Sequence, residues 1–476
     1  MQDLSLAILG DIKGLLESCS LVLLKLHSII ILMKKHSKSK NSWFKDRGYL
    51  HFDTPVSEEF VQQFVIRPEK IKSHSFYPFL FYEIPKIKLK VIDGKVVRDK
   101  KNATTTKKRP IAYAAHLDSH IFSYYTYLLN LQYEKILSNQ HGYLHNSILA
   151  FRKLEKSNIH FAKIAFDKIR ELGNCSVLAL DITGFFDNLD HQLLKQAWCK
   201  VLETENLPDD HYAVYKAITK FSKVEKEFIL EYFKIPKNTI GFKQYKRICS
   251  AKQFRQFRKD FPFKIIKNTS GKAIPQGSPI SSLLSNIYML NFDIAVFKFL
   301  NEINPNFMYL RYCDDILCIV DKENLEAVEI FILNEIQKVK LEINEKKTEI
   351  IHFTKTDKLR SHGNKDSKKK ALQYLGFILE NDSISLRSTG FTRYSNKMKR
   401  GVSLAKQTQR KYNIIRERNG LPIRSLYKKK LYSRYSHFGK CNFISYGKRA
   451  AEILESKTIR RQLAPLYRYL RKRMDL

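Results

Sequence analysis

Negative charge is what this sequence has least of. Against 85 Lys plus Arg stand 47 Asp plus Glu, a formal net charge of +38, with the surplus spread along the whole chain. So large an imbalance costs self-repulsion in the folded state, which makes a polyanionic partner the economical explanation and a nucleic acid the expected one. A merely basic soluble protein or a membrane-surface binder is the competing reading, but no single amphipathic helix concentrates the charge. The seven cysteines include no CxxC pair and no zinc-ligand spacing, which excludes a disulfide framework and fits a reducing, cytoplasmic setting. There is no internal repeat. Near the N-terminus Ser20 to Met33 (SLVLLKLHSIIILM) is apolar, but it carries Lys25 and His27, is too short to span a bilayer and lacks a small-residue cleavage site. An amphipathic or partly buried helix is expected there, with no membrane partner. A further expectation is that Met33 is the native start, which would leave the first 32 residues outside the protein.

What is present argues for a folded protein. At 476 residues with 43% hydrophobic and 12% aromatic content, the chain can build two or three domains with sizeable cores. Asp93-Gly94, between the alternating residues of IKLKVIDGKVV, is a hairpin signal, so a basic β-hairpin is expected to run into Arg109-Pro110-Ile111. Two lysine-rich stretches, Lys95 to Lys108 and Lys355 to Lys370, are expected as loops. From His120 to about Leu172 the apolar spacing is helical, and Ser176 to Asp181 (SVLALD) reads as a buried strand. Lys243 to Lys267 interleaves basic and aromatic residues, and after about Leu386 the chain becomes helical and strongly basic.

Three segments carry chemistry together. In Val177 to His191 (VLALDITGFFDNLDH) a strand delivers Asp181 at its end, and Gly184 then permits a tight turn before Phe185-Phe186. In Gly271 to Met289 (GKAIPQGSPISSLLSNIYM) Pro275, Gly277 and Pro279 form a bent loop ahead of an apolar helix. In Met308 to Val320 (MYLRYCDDILCIV) two strand-like runs meet at Asp314-Asp315. An isolated Asp-Asp pair is ordinarily a solvated turn. Carboxylates converging from separate strands instead repel one another unless a cation or a shared proton compensates. Hard oxygen ligands that only partly fill a coordination sphere suit Mg²⁺, and two such ions roughly 3.5–4 Å apart serve an in-line displacement at phosphorus.

The order DITGFFDNLDH, PQGSPISSLLSNIYM, YCDD, LEINEKKTEI and QYLGF, spread over Val177 to Phe377, resembles the sequential palm motifs of reverse transcriptases, above all bacterial ones related to group II intron and retron enzymes. The YCDD tetrad alone is weak, whereas five motifs in order are specific. The resemblance implies an α+β right-hand polymerase with fingers, a ferredoxin-like palm and a helical thumb. It divides the chain into an N-terminal extension at 1–40, fingers at 41–176, a palm at 177–385 with an inserted fingers segment at about 192–270, and a basic thumb at 386–476. It implies RNA-directed DNA synthesis from dNTPs with two Mg²⁺ ions, Mn²⁺ being the substitute, held by Asp181, Asp314, Asp315 and the Ile182 carbonyl.

Other roles carry over residue by residue, each beside a plainer alternative. Phe186 falls at the steric gate that excludes a ribose 2′-hydroxyl, or is an ordinary core phenylalanine. Gln276 packs near the incoming sugar, or is a loop-stabilising amide. Lys347, beside Lys346, is the general acid toward pyrophosphate, or a solvated helix-end lysine. Arg109 clamps the triphosphate, or is a surface charge. Tyr374, Leu375, Gly376 and Phe377 form the primer grip, or a plain strand turn at Gly376.

The thumb-like C-terminus has no His and Cys endonuclease cluster, and Ser388 to Gly390 (STG) is a displaced, unconvincing match to the retron VTG signature. Arg109 to Tyr125 and Ser436 to Ala450 are more similar to stand-alone reverse transcriptases of bacterial antiphage defence. Such enzymes act with a structured non-coding RNA, and some with a second protein or as homo-oligomers. Basic residues such as Lys397, Lys399, Arg400 and Arg460 among tyrosines have the composition to hold an RNA, or simply to grip a primer-template duplex. A retron or group II intron type, untemplated or protein-primed synthesis, an RNA-dependent RNA polymerase and a silent RNA-binding scaffold are the alternatives. Phe186 speaks against the RNA polymerase, and the full set of aspartates against the scaffold.

Overall fold

The continuous apolar runs around the aspartates become the centre of the fold. The computed structural model describes residues 41–85, 89–92, 95–98, 108–236, 244–363 and 370–475. The Ser20 to Met33 segment, the Met33 start, the Asp93-Gly94 turn and residues 99–107 lie outside the described residues.

Five strands, β5 (Cys175–Asp181), β8 (Met308–Tyr312), β9 (Asp315–Val320), β10 (Glu349–Lys355) and β11 (Leu359–Gly363), form a sheet in the order β11-β10-β5-β9-β8. Every neighbour pair is antiparallel. The helices Ser281–Ile303 and Leu325–Lys338 fall after β5 and β9, so β5, β8, β9 and β10 make the βαββαβ unit of a ferredoxin-like layer, as expected.

Side chains alternate across β5: Leu178 and Leu180 enter one core with Ile316, Cys318 and the Ser281–Ile303 helix. Val177 enters a second core with Leu317, Ile319 and the Asn158–Leu172 helix. A sheet buried on both faces needs apolar residues at every position, which is why these strands read as unbroken runs. The Ser281–Ile303 helix is long and apolar enough to cross a membrane, but 67% of its most apolar window is buried inside the protein, so it is a core helix.

Outside this layer, β1 (Phe79–Pro85) and β4 (Lys108–Tyr113), which precede it in the chain, join β6 (Ser222–Glu225) and β7 (Ile266–Lys267), which lie between β5 and β8, in a second sheet of order β4-β1-β6-β7. Between β1 and β4 lies the expected hairpin, β2 (Leu89–Ile92) paired with β3 (Lys95–Arg98). After it, β12 (Leu372–Tyr374), β13 (Phe377–Glu380) and β14 (Ser383–Leu386) form a small sheet, and the chain then turns helical from Ser388–Arg418 to Lys457–Asp475.

Two expectations are corrected. Lys355 to Gly363 is not a loop: β10 ends at Lys355 and β11 follows, an edge strand whose residues Arg360, Ser361, His362 and Gly363 look loop-like in sequence although Leu359 and Ser361 are buried; residues 364–369 lie outside the described ones. Nor is His120 to Leu172 continuously helical. The His116–Gln140 helix ends before an irregular stretch whose apolar residues Leu144, Ile148 and Leu149 are buried, and Leu149 N donates to Arg311 O at 3.0 Å beside β8.

Candidate active site

The sheet register brings two of the three aspartates together. Asp181, the last residue of β5, lies directly opposite Asp315, the first of β9. Both belong to the face that carries Val177 and Leu317, at the end of the sheet where that face meets solvent. Tyr312 pairs with Asp315, so Cys313 and Asp314 form a two-residue hairpin turn, and Cys313 takes the required left-handed conformation at φ 61°. Asp314 is half-buried in this turn, and its carbonyl accepts from Ile182 N at 3.0 Å. The next residues are held by a second bridge, in which Thr183 N donates to Glu342 O and Asn344 N to Asp181 O, both at 2.8 Å. Neither bond uses the Ile182 carbonyl.

Removal from water, with Asp314 and Asp181 close by, raises the Asp315 carboxyl to about 6, while Lys347 and Arg387 oppose the rise. Lys347, in a short turn over Glu345–Lys347, answers that excess negative charge: its Nζ donates to both Asp181 carboxylate oxygens at 2.7 Å. An ammonium thus stands on Asp181 where acceptor-only oxygens face the site. Hard carboxylates that repel one another and attract a cation fit a divalent ion. Among the described residues no group of three or more His, Cys, Asp or Glu side chains is placed to hold a metal ion, so Asp181, Asp314 and Asp315 are not gathered here into one ligand set.

Phe186 and Gln276 are joined through the backbone. Ile274 N donates to Phe186 O at 2.9 Å, and Ala112 N in β4 donates to Gln276 O at 2.8 Å. Gly277 allows the close approach: at φ 114°, a Cβ there would lie 2.6 Å from Ala112 O. Gln276 lines a cavity of about 180 Å³ with Pro110, Ala112, Asp187, Ile274 and Pro275, whereas Phe186 does not line it. The Phe186 ring is half-buried against Phe185. Arg109 sits on β4 opposite Ile84, exposed, and is not brought to the aspartates.

Tyr374 and Phe377 pair across a turn in which Leu375 (φ 45°) and Gly376 (φ 95°) are both left-handed, a hairpin geometry that suits glycine. Asn158 Nδ2 donates to Leu375 O at 3.0 Å, and Arg387 N to Gly376 O at 3.1 Å. Burial, with Asp315 and Tyr312 nearby, pushes the Tyr374 phenol far above its usual range, so this hairpin adjoins the carboxylates.

Sequence reasoning missed the anchor beneath the aspartate turn. Arg311 and Asp293 are fully buried, and the guanidinium donates to both Asp293 oxygens at 2.7 and 2.6 Å. Its remaining nitrogen donates to Cys313 O at 3.2 Å and Asn286 Oδ1 at 3.3 Å, while Tyr309 Oη donates to Asp293 at 2.6 Å. Burial works against the charge of Arg311, yet the Asp293 carboxylate beside it raises the guanidinium above its usual range. The available signal was a cation in the middle of an apolar strand and a carboxylate in the middle of an apolar helix.

A family model described as reverse transcriptase (RNA-dependent DNA polymerase) matches residues 99–379. No curated protein matches the chain. Among solved structures, apo telomerase from Candida tropicalis, truncated from the C-terminal domain, matches at 15% identity over 64% of this chain and 57% of that one, with a TM-score of 0.40. Telomerase from Candida albicans, in complex with a TWJ fragment of telomeric RNA, matches at 14% identity over 73% of this chain and 54% of that one, with a TM-score of 0.38. The chain therefore spans little more than half the length of these telomerase chains.

Proposed function

The chain belongs to the reverse transcriptase (RNA-dependent DNA polymerase) family, and from that premise we propose that it is an RNA-directed DNA polymerase that joins dNTPs to a 3′-hydroxyl. The observation that carries the reading is the cross-strand pair Asp181 and Asp315, with Asp314 in the adjoining turn and a cation already drawn to Asp181. Asp181, Asp314, Asp315 and the Ile182 carbonyl would hold two Mg²⁺ ions, or Mn²⁺. Such ions supply neutralisation of the attacking oxygen and of the leaving pyrophosphate.

The remaining work belongs to side chains. Lys347, placed beside Asp181 through Nζ, gives a proton to the leaving pyrophosphate oxygen. Phe186 crowds the sugar edge and excludes a 2′-hydroxyl, Gln276 lines the cavity it shares with Pro110 and Pro275, and Arg109, exposed on β4, meets the triphosphate. The Tyr374 to Phe377 hairpin steadies the primer strand beside Asp315. On this reading residues 41–176 are fingers, 177–385 palm with an inserted fingers segment at about 192–270, and 386–476 thumb.

The finer proposal is a cytoplasmic bacterial enzyme of antiphage defence, working with a structured non-coding RNA. Its supports are the segments Arg109 to Tyr125 and Ser436 to Ala450 and the basic C-terminal helices. The test is DNA synthesis by the purified protein on an RNA template with labelled dNTPs and Mg²⁺, against Asp314→Ala/Asp315→Ala. Product from the wild type alone is expected; equal product from the variant refutes the assignment of the aspartates, and ready incorporation of NTPs refutes that of Phe186. Loss of phage resistance in cells carrying the variant is the expected result for the defence role.

A further inference from the structure

A cavity lies away from the aspartates, among the C-terminal helices. It measures about 370 Å³, within the range of about 300–1,000 Å³ common for small-molecule sites. It opens between the Phe443–Ile453 and Lys457–Asp475 helices, which approach closely because Gly447 has no side chain: a Cβ there would meet Leu463 at 2.8 Å. Leu463 gives the cavity an apolar wall, Tyr467 and His437 line it with rings whose centroids are 4.8 Å apart, and Lys448 and Arg460 also line it. Apolar and aromatic walls bordered by cations suit a nucleobase whose flanking phosphates remain outside.

One lining residue does not belong to a general phosphate surface. Glu452 is one of four acidic residues between 387 and 476, with Glu417, Glu455 and Asp475. Glu455 pairs with Lys163 at 3.4 Å and Asp475 with Lys428 at 3.5 Å, whereas Glu452 stands exposed at the mouth of the cavity with no cation paired to it among the described residues, although Lys448 is one turn before it. A carboxylate only accepts hydrogen bonds, through two adjacent oxygens. Guanine presents two neighbouring N–H donors on its Watson–Crick edge; adenine and cytosine place an acceptor beside their amino group, and uracil has one N–H between two acceptors.

We propose that this cavity receives an unstacked guanine of a bound RNA, with Glu452 accepting from the guanine N1–H and 2-amino groups, Tyr467 against the base, and Lys448 and Arg460 on the adjoining phosphates. The proposal deepens the reading of this chain as an RNA-binding polymerase and rests on it. It gives the C-terminal region a means of choosing one RNA, which phosphate contacts alone cannot provide.

The experiment uses the full chain and labelled oligouridylates of about 12 nucleotides with a central guanosine, inosine or adenosine, at near-physiological salt. The wild type is expected to bind the guanosine probe about tenfold or more tightly than the adenosine probe, with inosine, which lacks the 2-amino group, between them. Glu452→Gln should abolish the preference while leaving the adenosine affinity in place, and Tyr467→Ala should weaken the guanosine probe most. Equal affinity for the two probes, or a preference that survives Glu452→Gln, overturns the proposal. So does competition by free GMP at the concentrations at which the oligonucleotide binds, which would make the cavity a mononucleotide site. DNA synthesis on poly(rA) primed with oligo(dT) is measured on the same preparations. Its loss in the wild type counts against the polymerase reading, and its retention in Glu452→Gln isolates a failure of the guanine assignment.

Discussion

At the scale of single residues, the geometry of the aspartate turn depends on a pair that never meets solvent. Arg311 joins β8 to the Ser281–Ile303 helix through Asp293 and reaches the Cys313 carbonyl, the one turn residue forced into a left-handed conformation. Breaking a buried pair by removing one partner leaves an uncompensated charge, so Asp293→Asn alone is expected to lower stability by about 3–5 kcal/mol, read by denaturant unfolding. The double variant Arg311→Met/Asp293→Asn removes both charges and keeps an acceptor for the Tyr309 hydroxyl. It should recover most of that stability, yet DNA synthesis should stay at least about tenfold below wild type because Cys313 O has lost its donor. Recovery of synthesis together with stability would show that the pair supports only the core.

Elements differ in how openly the sequence declares them. β5, β8 and β9 were legible because both faces of the sheet are buried, and the aspartates were legible because charge interrupts those runs at their ends. The Arg311–Asp293 pair was not, since its partners lie on a strand and a helix that only tertiary packing brings together. The polar edge strand β11 passed for a loop, and the buried stretch around Ile148 passed for helix, because composition does not reveal which backbone a segment pairs with. The same blindness hid a histidine cluster ahead of the five-stranded sheet. Asp53 accepts from His116 N and Leu117 N at 2.9 Å and so caps the His116–Gln140 helix from a distant part of the chain. Around it, burial lowers His51 to about 3 and His120 to about 4. The imidazoles are therefore neutral in the folded protein, while the unfolded chain takes up protons from about pH 6.5 downward. Their contribution is complete above that value and is lost as pH falls toward the folded values. For His51 alone the loss should reach about 2 kcal/mol at pH 5. Unfolding midpoints from pH 7.5 to 5 should fall for the wild type and fall less steeply for His51→Gln; parallel slopes would contradict the assignment.

Over the whole molecule, the charge of +38 is the property that a sequence reading alone already ties to function. Its placement adds a constraint that composition could not. In the Ser388–Arg418 helix Tyr394, Met398 and Val402 face the core, and Lys397, Arg400 and Lys411 are exposed along a neighbouring stripe with Leu404. The helix itself carries a single carboxylate, Glu417, so these lysines and the arginine are available to replace condensed counterions on a nucleic-acid backbone. Binding to an RNA–DNA duplex should then weaken steeply with salt. Replacing Lys397, Arg400 and Lys411 together with Gln should reduce the slope of log affinity against log salt by about 2 to 3, close to 0.9 for each phosphate contact removed. Because these residues position the duplex without contacting the reacting atoms, synthesis at low salt and saturating template should change little, while the template concentration needed for half-maximal rate should rise at physiological salt. An unchanged salt slope would mean that the duplex runs along another face, and that this stripe is a solubilising surface of an otherwise strongly self-repelling protein.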